Sequence, residues 1–167
     1  AVAETLGTGC GLACRIKWPN DILVSGKKIA GILVETKTVR QQHHSVIGIG
    51  INCHQQPEFF QPYALHMPAT SLAIETGGPV DRTELVSRLL GTLEHWLHKA
   101  ADTRTVLTRW QQQSDLLGRH IILESDNRRY SGFCRGIDPA EGLIVHLDCG
   151  AGRMFSDQHT SILHVDG

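Results

Sequence analysis

Short strands are predicted over the first third of the chain, where Val, Ile and Leu cluster between glycines and prolines. The predicted strands cover residues 15–18, 21–24, 28–36 and 45–52. Two uninterrupted apolar runs, Ile32-Leu33-Val34 and Val46-Ile47, are typical of strands that are covered on both faces. The pattern therefore predicts a central sheet packed between other layers. Before it, the first residues resemble the last turn of a helix, so we expect the natural protein to extend further toward the N-terminus.

A proline-rich stretch and two helices are predicted next. Four of the 6 prolines lie between His54 and Pro79, which predicts a loop with one short helix over residues 71–76. A long helix begins at Asp81, where Asp81-x-x-Glu84 resembles a capping box. An apolar stripe at helical spacing follows along it: Leu85, Leu89, Leu93, Trp96 and Leu97. A second short helix is predicted over residues 106–113, with Val106, Leu107 and Trp110 facing inward.

The pattern changes after Gly118 to short strands separated by turn-forming residues. Five strands are predicted, at residues 121–124, 130–137, 143–149, 153–155 and 161–165. This number of short strands in so short a segment suits a small β-barrel. We therefore predict two domains, residues 1–117 and residues 118–167.

Composition and charge narrow the class of protein. Hydrophobic residues make up 41% and charged residues 20% of the chain, as in ordinary globular proteins. A net charge of -1 offers no overall field that would attract nucleic acid or an anionic membrane. No apolar run is long enough to cross a bilayer, and the first residues do not resemble a signal peptide. We expect a cytoplasmic protein that binds neither nucleic acid nor membrane through this chain.

The cysteines and histidines do not predict a metal centre. The 5 cysteines are an odd number, and no two of them form a C-x-x-C pair, so we interpret them as reduced thiols. The 10 histidines include close pairs, but these lack a second pair of ligands at the spacing of a zinc site. No structural metal is expected.

Three motifs carry candidate chemistry. The corner Lys17-Trp18-Pro19-Asn20-Asp21 is followed by a returning strand that contains Lys28 and Gly31, and then by Gly48-Ile49-Gly50-Ile51-Asn52. Two lysines and a carboxylate at such a corner suit an anion such as phosphate, and glycines let a ligand approach the backbone. From the residues alone, an exposed hairpin with ordinary surface lysines is the favoured interpretation.

Together these motifs closely resemble the central motifs of biotin protein ligases: a K-W-P-N-D corner, a K-(I/L)-A-G-I-L-V-E strand and a G-(I/A)-G-I-N strand, in this order. The segment Ala69-Thr70-Ser71-Leu72, the long helix, the Arg109-Trp110 pair and Gly118-Arg119 resemble the family in the same register. The resemblance covers essentially the whole chain. It implies an α+β fold: a mixed β-sheet with flanking helices, related to class II aminoacyl-tRNA synthetases and incomplete at its N-terminus, followed by a small Src-homology-3-like β-barrel.

The resemblance also implies an ATP-dependent ligase. Biotin and ATP, with Mg²⁺, would form biotinyl-5′-adenylate, and the biotinyl group would then pass to a lysine of the biotin carboxyl carrier protein of acetyl-CoA carboxylase. By resemblance, Lys28 contacts the biotin carboxylate and the α-phosphate, and Lys17 adds positive charge nearby. Asp21 holds Mg²⁺ or orients a lysine. Fixed positive charge is needed because this reaction brings two anions together.

The remaining site residues are expected around the nucleotide. By resemblance, Asn20 and Asn52 hydrogen-bond the nucleotide, with Asn52 at the adenine edge, and Gly31 leaves room beside the adenylate. Near the C-terminus the family can present a basic residue to the ATP phosphates. The corresponding strand here carries His164, with Arg153 further back, and neither is assigned a role.

The chain departs from the family at its start, because the G-R-G-R-R-G loop and the elements that bind the biotin ring would lie before Lys17 and are missing. We therefore expect this chain to be a fragment that is inactive by itself. Two alternatives remain open: a non-catalytic module for dimerisation or carrier docking, and a relative that acts on lipoate or another acid. The sequence does not determine the oligomeric state, and a homodimer is one possibility.

Overall fold

The structure is a computed structural model that describes residues 1–40, 42–61, 67–139 and 141–166. It divides into two compact units. The first unit contains Ala1–Ile16 and Asn20–His98, and the second contains Lys17–Pro19 and the chain from Lys99 onward. The predicted boundary at Leu117 between two domains stays a prediction. Within the described residues, none of the helices combines the length and the apolar character that a membrane span requires.

The described residues contain five helices and nine strands. The helices are α1 (Val2–Cys10), α2 (Pro57–Phe60), α3 (Leu72–Thr76), α4 (Arg82–Lys99) and α5 (Thr103–Gln113). The strands are β1 (Cys14–Lys17), β2 (Asp21–Val24), β3 (Lys27–Val39), β4 (Gln42–Ile51), β5 (His120–Ser125), β6 (Arg128–Asp138), β7 (Gly142–Leu147), β8 (Gly152–Phe155) and β9 (Thr160–Val165). This is an α+β fold.

The first unit is built on a sheet of four strands in the order β1-β2-β3-β4. Strand β3 pairs antiparallel with both β2 and β4. The hydrophobic core of the first unit contains residues of the sheet and of α1, α3 and α4: Val2, Ala3, Leu6, Ile22, Val24, Ile29, Ala30, Leu72, Leu85 and Leu89. The flanking helices that the family resemblance implies are therefore confirmed.

The expected cover on both faces of this sheet is wrong for the outer part of β3 and β4. Leu33, Val34 and Val46 are 59%, 57% and 67% exposed, and Ile47 is 39% exposed. The core reaches as far as Ile32 and Ile49, which pack against it, and the paired strands continue beyond this point. An apolar run predicts a need for burial, whereas the element that buries it must come from elsewhere in the fold.

Three other expectations need correction. The chain opens with nine residues of helix α1 and not with one last turn, since Leu6 of α1 is fully buried in the core. The proline-rich loop contains α2 in addition to the expected helix α3, because Pro57 lies at the start of α2, where its missing N–H is harmless. Part of the loop, residues 62–66, lies outside the described residues. In α4, Leu97 at the end of the stripe is 56% exposed, since the core cluster ends at Leu89.

The start of α4 agrees with the sequence in one respect. The carboxylate of Asp81 accepts hydrogen bonds from the backbone N–H groups of Thr83 and Glu84 at 2.8 and 3.1 Å. This is the cap that the sequence predicts. The side chain of Glu84 accepts hydrogen bonds from Arg88, one turn further along the helix.

The second unit is built on a five-stranded antiparallel sheet in the order β8-β7-β6-β5-β9. All five predicted strands are confirmed. Its core consists of Trp18, Leu116, Ile121, Leu123, Cys134, Leu143, Val145 and Phe155, with Trp110 of α5 packed against it. Closure of this sheet into a Src-homology-3-like barrel stays a prediction.

The cysteines are free thiols. Burial raises the pKa of Cys14 and of Cys134 to about 11, so these two thiols remain protonated at neutral pH. A protonated thiol is a poor nucleophile and a poor metal ligand.

Candidate functional site

Lys28 and Asp21 form an ion pair at the inner end of the β2–β3 hairpin. The Lys28 Nζ atom lies 2.5 Å from Asp21 Oδ1, and the two side chains are 41% and 19% exposed. A bulge prepares this contact, since Lys28 lies opposite Leu23 while Ala30 lies opposite Ile22, which leaves Ile29 as an extra residue. A bulge changes which residues share a face. It allows Ile29 to fill the core while Lys28 turns toward Asp21.

Gly31 leaves room for the Lys28 side chain, because it has no side chain of its own. A Cβ atom at Gly31 would lie 3.3 Å from both Cε and Nζ of Lys28, and 3.7 Å from Asp21 Oδ1. The residue opposite Gly31 on β4 is Gly50, also without a side chain. The ion pair therefore stands next to a stretch of bare backbone, where a flat ligand can approach closely.

The segment that precedes α3 fixes the backbone of Lys28. The N–H of Lys28 donates to the carbonyl of Pro68 at 2.8 Å, and the N–H of Thr70 donates to the carbonyl of Lys28 at 2.9 Å. Ala69 thus forms a parallel bridge with Lys28. Both backbone groups of Lys28 are bonded, and its side chain extends from a fixed point.

Asn52 is held by the same segment. Its backbone N–H donates to the Ile29 carbonyl and its carbonyl accepts from the Leu72 N–H, both at 2.9 Å. The side-chain Nδ2 atom donates to the carbonyl of Thr70, also at 2.9 Å. The amide group therefore has a fixed orientation, with its nitrogen turned toward Thr70.

A second polar cluster, formed by Thr70, Glu75 and Lys27, was missed by sequence reasoning. The buried hydroxyl of Thr70 donates to Glu75 Oε1 at 2.6 Å, and Lys27 Nζ lies 2.9 Å from the same oxygen. The hydrogen bond from Thr70 lowers the pKa of Glu75, and Lys27 lowers it further, so this carboxyl group is ionised at neutral pH. Lys27 and Glu75 are 48 positions apart, and no spacing rule links them.

The other predicted residues occupy different surroundings. The side chain of Asn20 is exposed, while its carbonyl accepts a hydrogen bond from the Ile32 N–H at 2.9 Å. Lys17 belongs to the second unit, next to Trp18, which is buried in the core of that unit and precedes a cis peptide bond to Pro19. The structure thus brings Lys28, Asp21, Gly31 and Asn52 together in the first unit.

The two basic residues near the C-terminus have partners within the second unit. His164 Nε2 lies 3.1 Å from Asp166 Oδ1. The Arg153 guanidinium lies over the ring of Tyr130, 4.6 Å from its centre, and donates a hydrogen bond to the Tyr130 hydroxyl at 2.9 Å. Both side chains therefore have partners within their own unit.

Comparison with known proteins shows that the chain is similar to protein ligases. Residues 1–52 match the model of the biotin/lipoate A/B protein ligase family. A biotin–[acetyl-CoA-carboxylase] ligase of Mycobacterium tuberculosis is 43% identical over 152 residues, covering 90% of this chain and 53% of that protein. The ligase of the same name from Paracoccus denitrificans is 33% identical over 156 residues, covering 90% of this chain and 65% of that protein.

A bifunctional ligase/repressor of Bacillus subtilis is 32% identical over 162 residues, covering 93% of this chain and 49% of that protein. The chain thus spans about half to two thirds of the length of these three relatives.

Solved structures show the same similarity. A crystal structure of biotin protein ligase from Aquifex aeolicus matches with a TM-score of 0.80 at 24% identity, covering 96% of this chain and 69% of that one. The same enzyme in complex with biotin and ATP matches with a TM-score of 0.78 at 25% identity, covering 96% and 66%. The chain is thus similar in sequence and in fold to biotin protein ligases over nearly its whole length, and its first 52 residues match the biotin/lipoate A/B protein ligase family.

Proposed function

We propose that this chain forms the nucleotide- and phosphate-binding part of a biotin protein ligase. The complete enzyme would join biotin to ATP as biotinyl-5′-adenylate and then transfer the biotinyl group to a lysine of a biotin carboxyl carrier protein. The observation that carries the proposal is the Lys28–Asp21 ion pair beside the bare backbone of Gly31 and Gly50. Relatives named as biotin–[acetyl-CoA-carboxylase] ligases, and a similar structure in complex with biotin and ATP, support it.

The chemistry of adenylation explains the need for Lys28. A carboxylate oxygen of biotin attacks the α-phosphorus of ATP, a new O–P bond forms, and the bond to the pyrophosphate leaving group breaks. Both reactants are anionic, so a fixed ammonium group between them lowers the barrier. Lys28 supplies this charge, and Asp21 keeps the ammonium group in place before the substrates bind. In the second step, a carrier lysine attacks the activated carbonyl carbon and AMP leaves.

Asn52 and Asn20 are assigned to the nucleotide. Because Asn52 Nδ2 is bonded to Thr70, the amide oxygen is the atom that we assign to the amino group of adenine. The exposed side chain of Asn20 follows as a second hydrogen-bonding group. The assignment of Lys17 as a second cation rests on the family resemblance alone.

Asp21 fits the orientation of a lysine better than the binding of Mg²⁺. Its Oδ1 atom is already in contact with the Lys28 ammonium group, which competes with a metal ion for that oxygen. The described residues also contain no group of three or more metal-ligating acidic, His or Cys side chains. Mg²⁺ commonly binds through one or two carboxylates together with substrate phosphates. We therefore assign Mg²⁺ to the ATP phosphates.

The rest of the enzyme is part of the same proposal. The biotin-ring pocket and the arginine-rich loop would come from a segment that precedes Ala1, so the chain by itself would be inactive. Residues 118–167 would form a Src-homology-3-like barrel beside a catalytic domain that includes residues 1–117, and the reaction would take place in the cytoplasm. Homodimerisation stays a prediction.

The test is to supply the missing part of the site separately. The purified chain is incubated with biotin, ATP and Mg²⁺, either alone or with the polypeptide encoded immediately upstream of Ala1, and pyrophosphate release is measured. We expect release only in the mixture, because holding both reactants in one geometry contributes about 7–11 kcal/mol to lowering the barrier.

Two outcomes would contradict the proposal. Release by the chain alone at enzymatic rates would mean that the active site has been misplaced. No release by the mixture or by the complete protein would favour a non-catalytic module. A parallel incubation with lipoate identifies which acid is activated.

A further inference from the structure

We propose that Glu75 is a positioning residue of the ligase site, which fixes Lys28 and Asn52 by holding Thr70 between them. The inference rests on the proposed function, because Lys28 and Asn52 are the groups there assigned to the α-phosphate and to adenine. Glu75 would touch no substrate atom and would act through Thr70.

Thr70 is the junction between the two assigned residues. Its N–H donates to the Lys28 carbonyl and its own carbonyl accepts from Asn52 Nδ2, both at 2.9 Å. The residue is only 1% exposed, so these bonds are shielded from competing water. A displacement of Thr70 would therefore move the lysine backbone and the amide together.

Glu75 holds the third polar group of this junction. The Thr70 hydroxyl donates to Glu75 Oε1 at 2.6 Å, a length expected of a hydrogen bond to a charged acceptor. Glu75 lies in α3, which is capped by the side chain of Ser71 and begins at the fully buried Leu72. The helix thus connects the junction to the hydrophobic core.

The same carboxylate also pairs with Lys27, the lysine next to Lys28 in the sequence. Lys27 Nζ lies 2.9 Å from Glu75 Oε1, while Lys28 Nζ lies 2.5 Å from Asp21 Oδ1. Each ammonium group has its own carboxylate. Loss of Glu75 would release Thr70 and would also leave Lys27 free to approach other anions in the site.

The experiment measures adenylation by the complete protein carrying single and double substitutions. Thr70→Val removes the hydroxyl at nearly constant volume, and Glu75→Ala removes its acceptor. Each should lower kcat/KM for ATP by about 10-fold or more at a temperature where every variant is folded, since small displacements of reacting groups cost large factors in rate. Thr70→Ser keeps the hydroxyl and should remain within about 3-fold of wild type.

The double variant separates positioning from general stabilisation. If Glu75 acts through Thr70, Glu75→Ala combined with Thr70→Val should be no worse than the worse single variant, because both remove one interaction. Glu84→Ala removes an exposed acidic side chain of α4 that is paired with Arg88 and serves as the matched control. It should leave kcat/KM within about 2-fold of wild type, as expected of an exposed pair.

Several results would overturn the inference. One is unchanged kcat/KM in Thr70→Val, which preserves the packing even if Glu75→Ala fails to fold. Others are a loss that only follows the unfolded fraction, or losses that multiply in the double variant. If the wild-type complete protein releases no pyrophosphate, the proposed function fails and this inference fails with it; an active wild type with equally active variants contradicts the inference alone.

Discussion

The β3–β4 hairpin of the first unit and the five-stranded sheet of the second unit differ in how they use apolar side chains. Every second residue of β5 is buried, and so are Leu143 and Val145 of β7. Ile121, Leu123 and Val145 are fully inaccessible. Along the outer part of the hairpin, Leu33 and Val46 are 59% and 67% exposed. The second unit buries the apolar side chains of its alternating pattern, whereas the outer part of the hairpin has apolar side chains that the first unit does not cover.

The two regions differ in what their side chains contribute: the second sheet contributes a hydrophobic core, and the hairpin contributes to the candidate site. In the second sheet, the apolar side chains at alternate positions form the hydrophobic core, and burial of such side chains is the usual source of stability in a small unit. At the inner end of the β3–β4 hairpin, Lys28 of β3 instead pairs with Asp21 of the neighbouring strand β2, beside bare backbone. The outer end of the hairpin leaves apolar side chains at the surface. Departures from the simplest packing pattern are expected where a protein binds something. Four predictions test this division, from the largest expected effect to the smallest.

The strongest test compares a core residue of the second sheet with an exposed residue of the hairpin. Phe155 is 1% exposed and packs against the ring of Tyr130 at 5.1 Å. Phe155→Ala should lower the free energy of unfolding by about 3–5 kcal/mol, because it removes a buried ring and leaves a cavity. Leu33→Ala should change it by at most about 0.5 kcal/mol. Urea denaturation measures both, and an equal loss at Leu33 would show that the hairpin is covered in solution.

The second test addresses the inner end of the hairpin. In the complete protein, Lys28→Ala should lower the rate of adenylation by about 10²- to 10³-fold, the usual effect of removing one fixed donor to developing charge. Lys37→Ala changes an exposed lysine at the outer end of the same strand and should have little effect. Pyrophosphate release is the measurement. Activity of the Lys28 variant within a few-fold of wild type would remove this residue from the mechanism.

The third test concerns Asn52, whose amide is oriented by Thr70. Asn52→Ala should weaken ATP binding by about 1–3 kcal/mol, since groups left unpaired in a partly buried site keep their cost of desolvation. Biotin binding should change less. Calorimetry on the complete protein compares the two ligands, and equal weakening of both would argue against contact with the base.

The smallest effect is expected at the end of the second sheet, where His120 lies between two aspartates. Its ring nitrogens lie 3.0 Å from Asp148 Oδ2 and 2.8 Å from Asp166 Oδ2, and His164 shares Asp166. The hydrogen bond to Asp148, together with that to Asp166, raises the pKa of His120 above 6.5. Hydrogen bonds from Ser131 and His120 lower the pKa of Asp148 below 3.8.

The sign of the pH dependence follows from these two shifts. The raised pKa of His120 means that its stabilisation is complete at acidic pH and is lost as the pH rises through the folded-state value. The lowered pKa of Asp148 means that its stabilisation is lost as the pH falls through its own folded-state value. Melting temperatures of the chain should therefore be highest between these limits. His120→Gln should flatten the decline on the alkaline side, and an unchanged profile would contradict the role of His120.

Local patterns were sufficient to predict most elements. The strands of the second sheet, the cap of α4 by Asp81 and the return of β3 after the Ser25-Gly26 turn follow from residue type and short spacing. The family motifs also identified Lys28, Asp21 and Gly31, which the fold brings into contact. These features involve residues that are close in the sequence or that pair across a hairpin. A few residues at the turn determine such pairing, so it can be predicted from the sequence.

Contacts between distant segments could not be predicted in the same way. The bond from Thr70 to Glu75 lies within a few residues, yet its importance appears only when both are placed against Lys27 and Lys28 of a strand more than forty positions earlier. The exposure of Leu33 and Val46 was predicted wrongly, because an apolar sequence specifies a tendency to be buried and not the element that buries it. Sequence thus predicted most of the secondary structure, the resemblance to biotin protein ligases and the charged residues of the candidate site. Tertiary structure alone decided which carboxylate holds which lysine and which apolar surface stays open, since these depend on where distant segments meet.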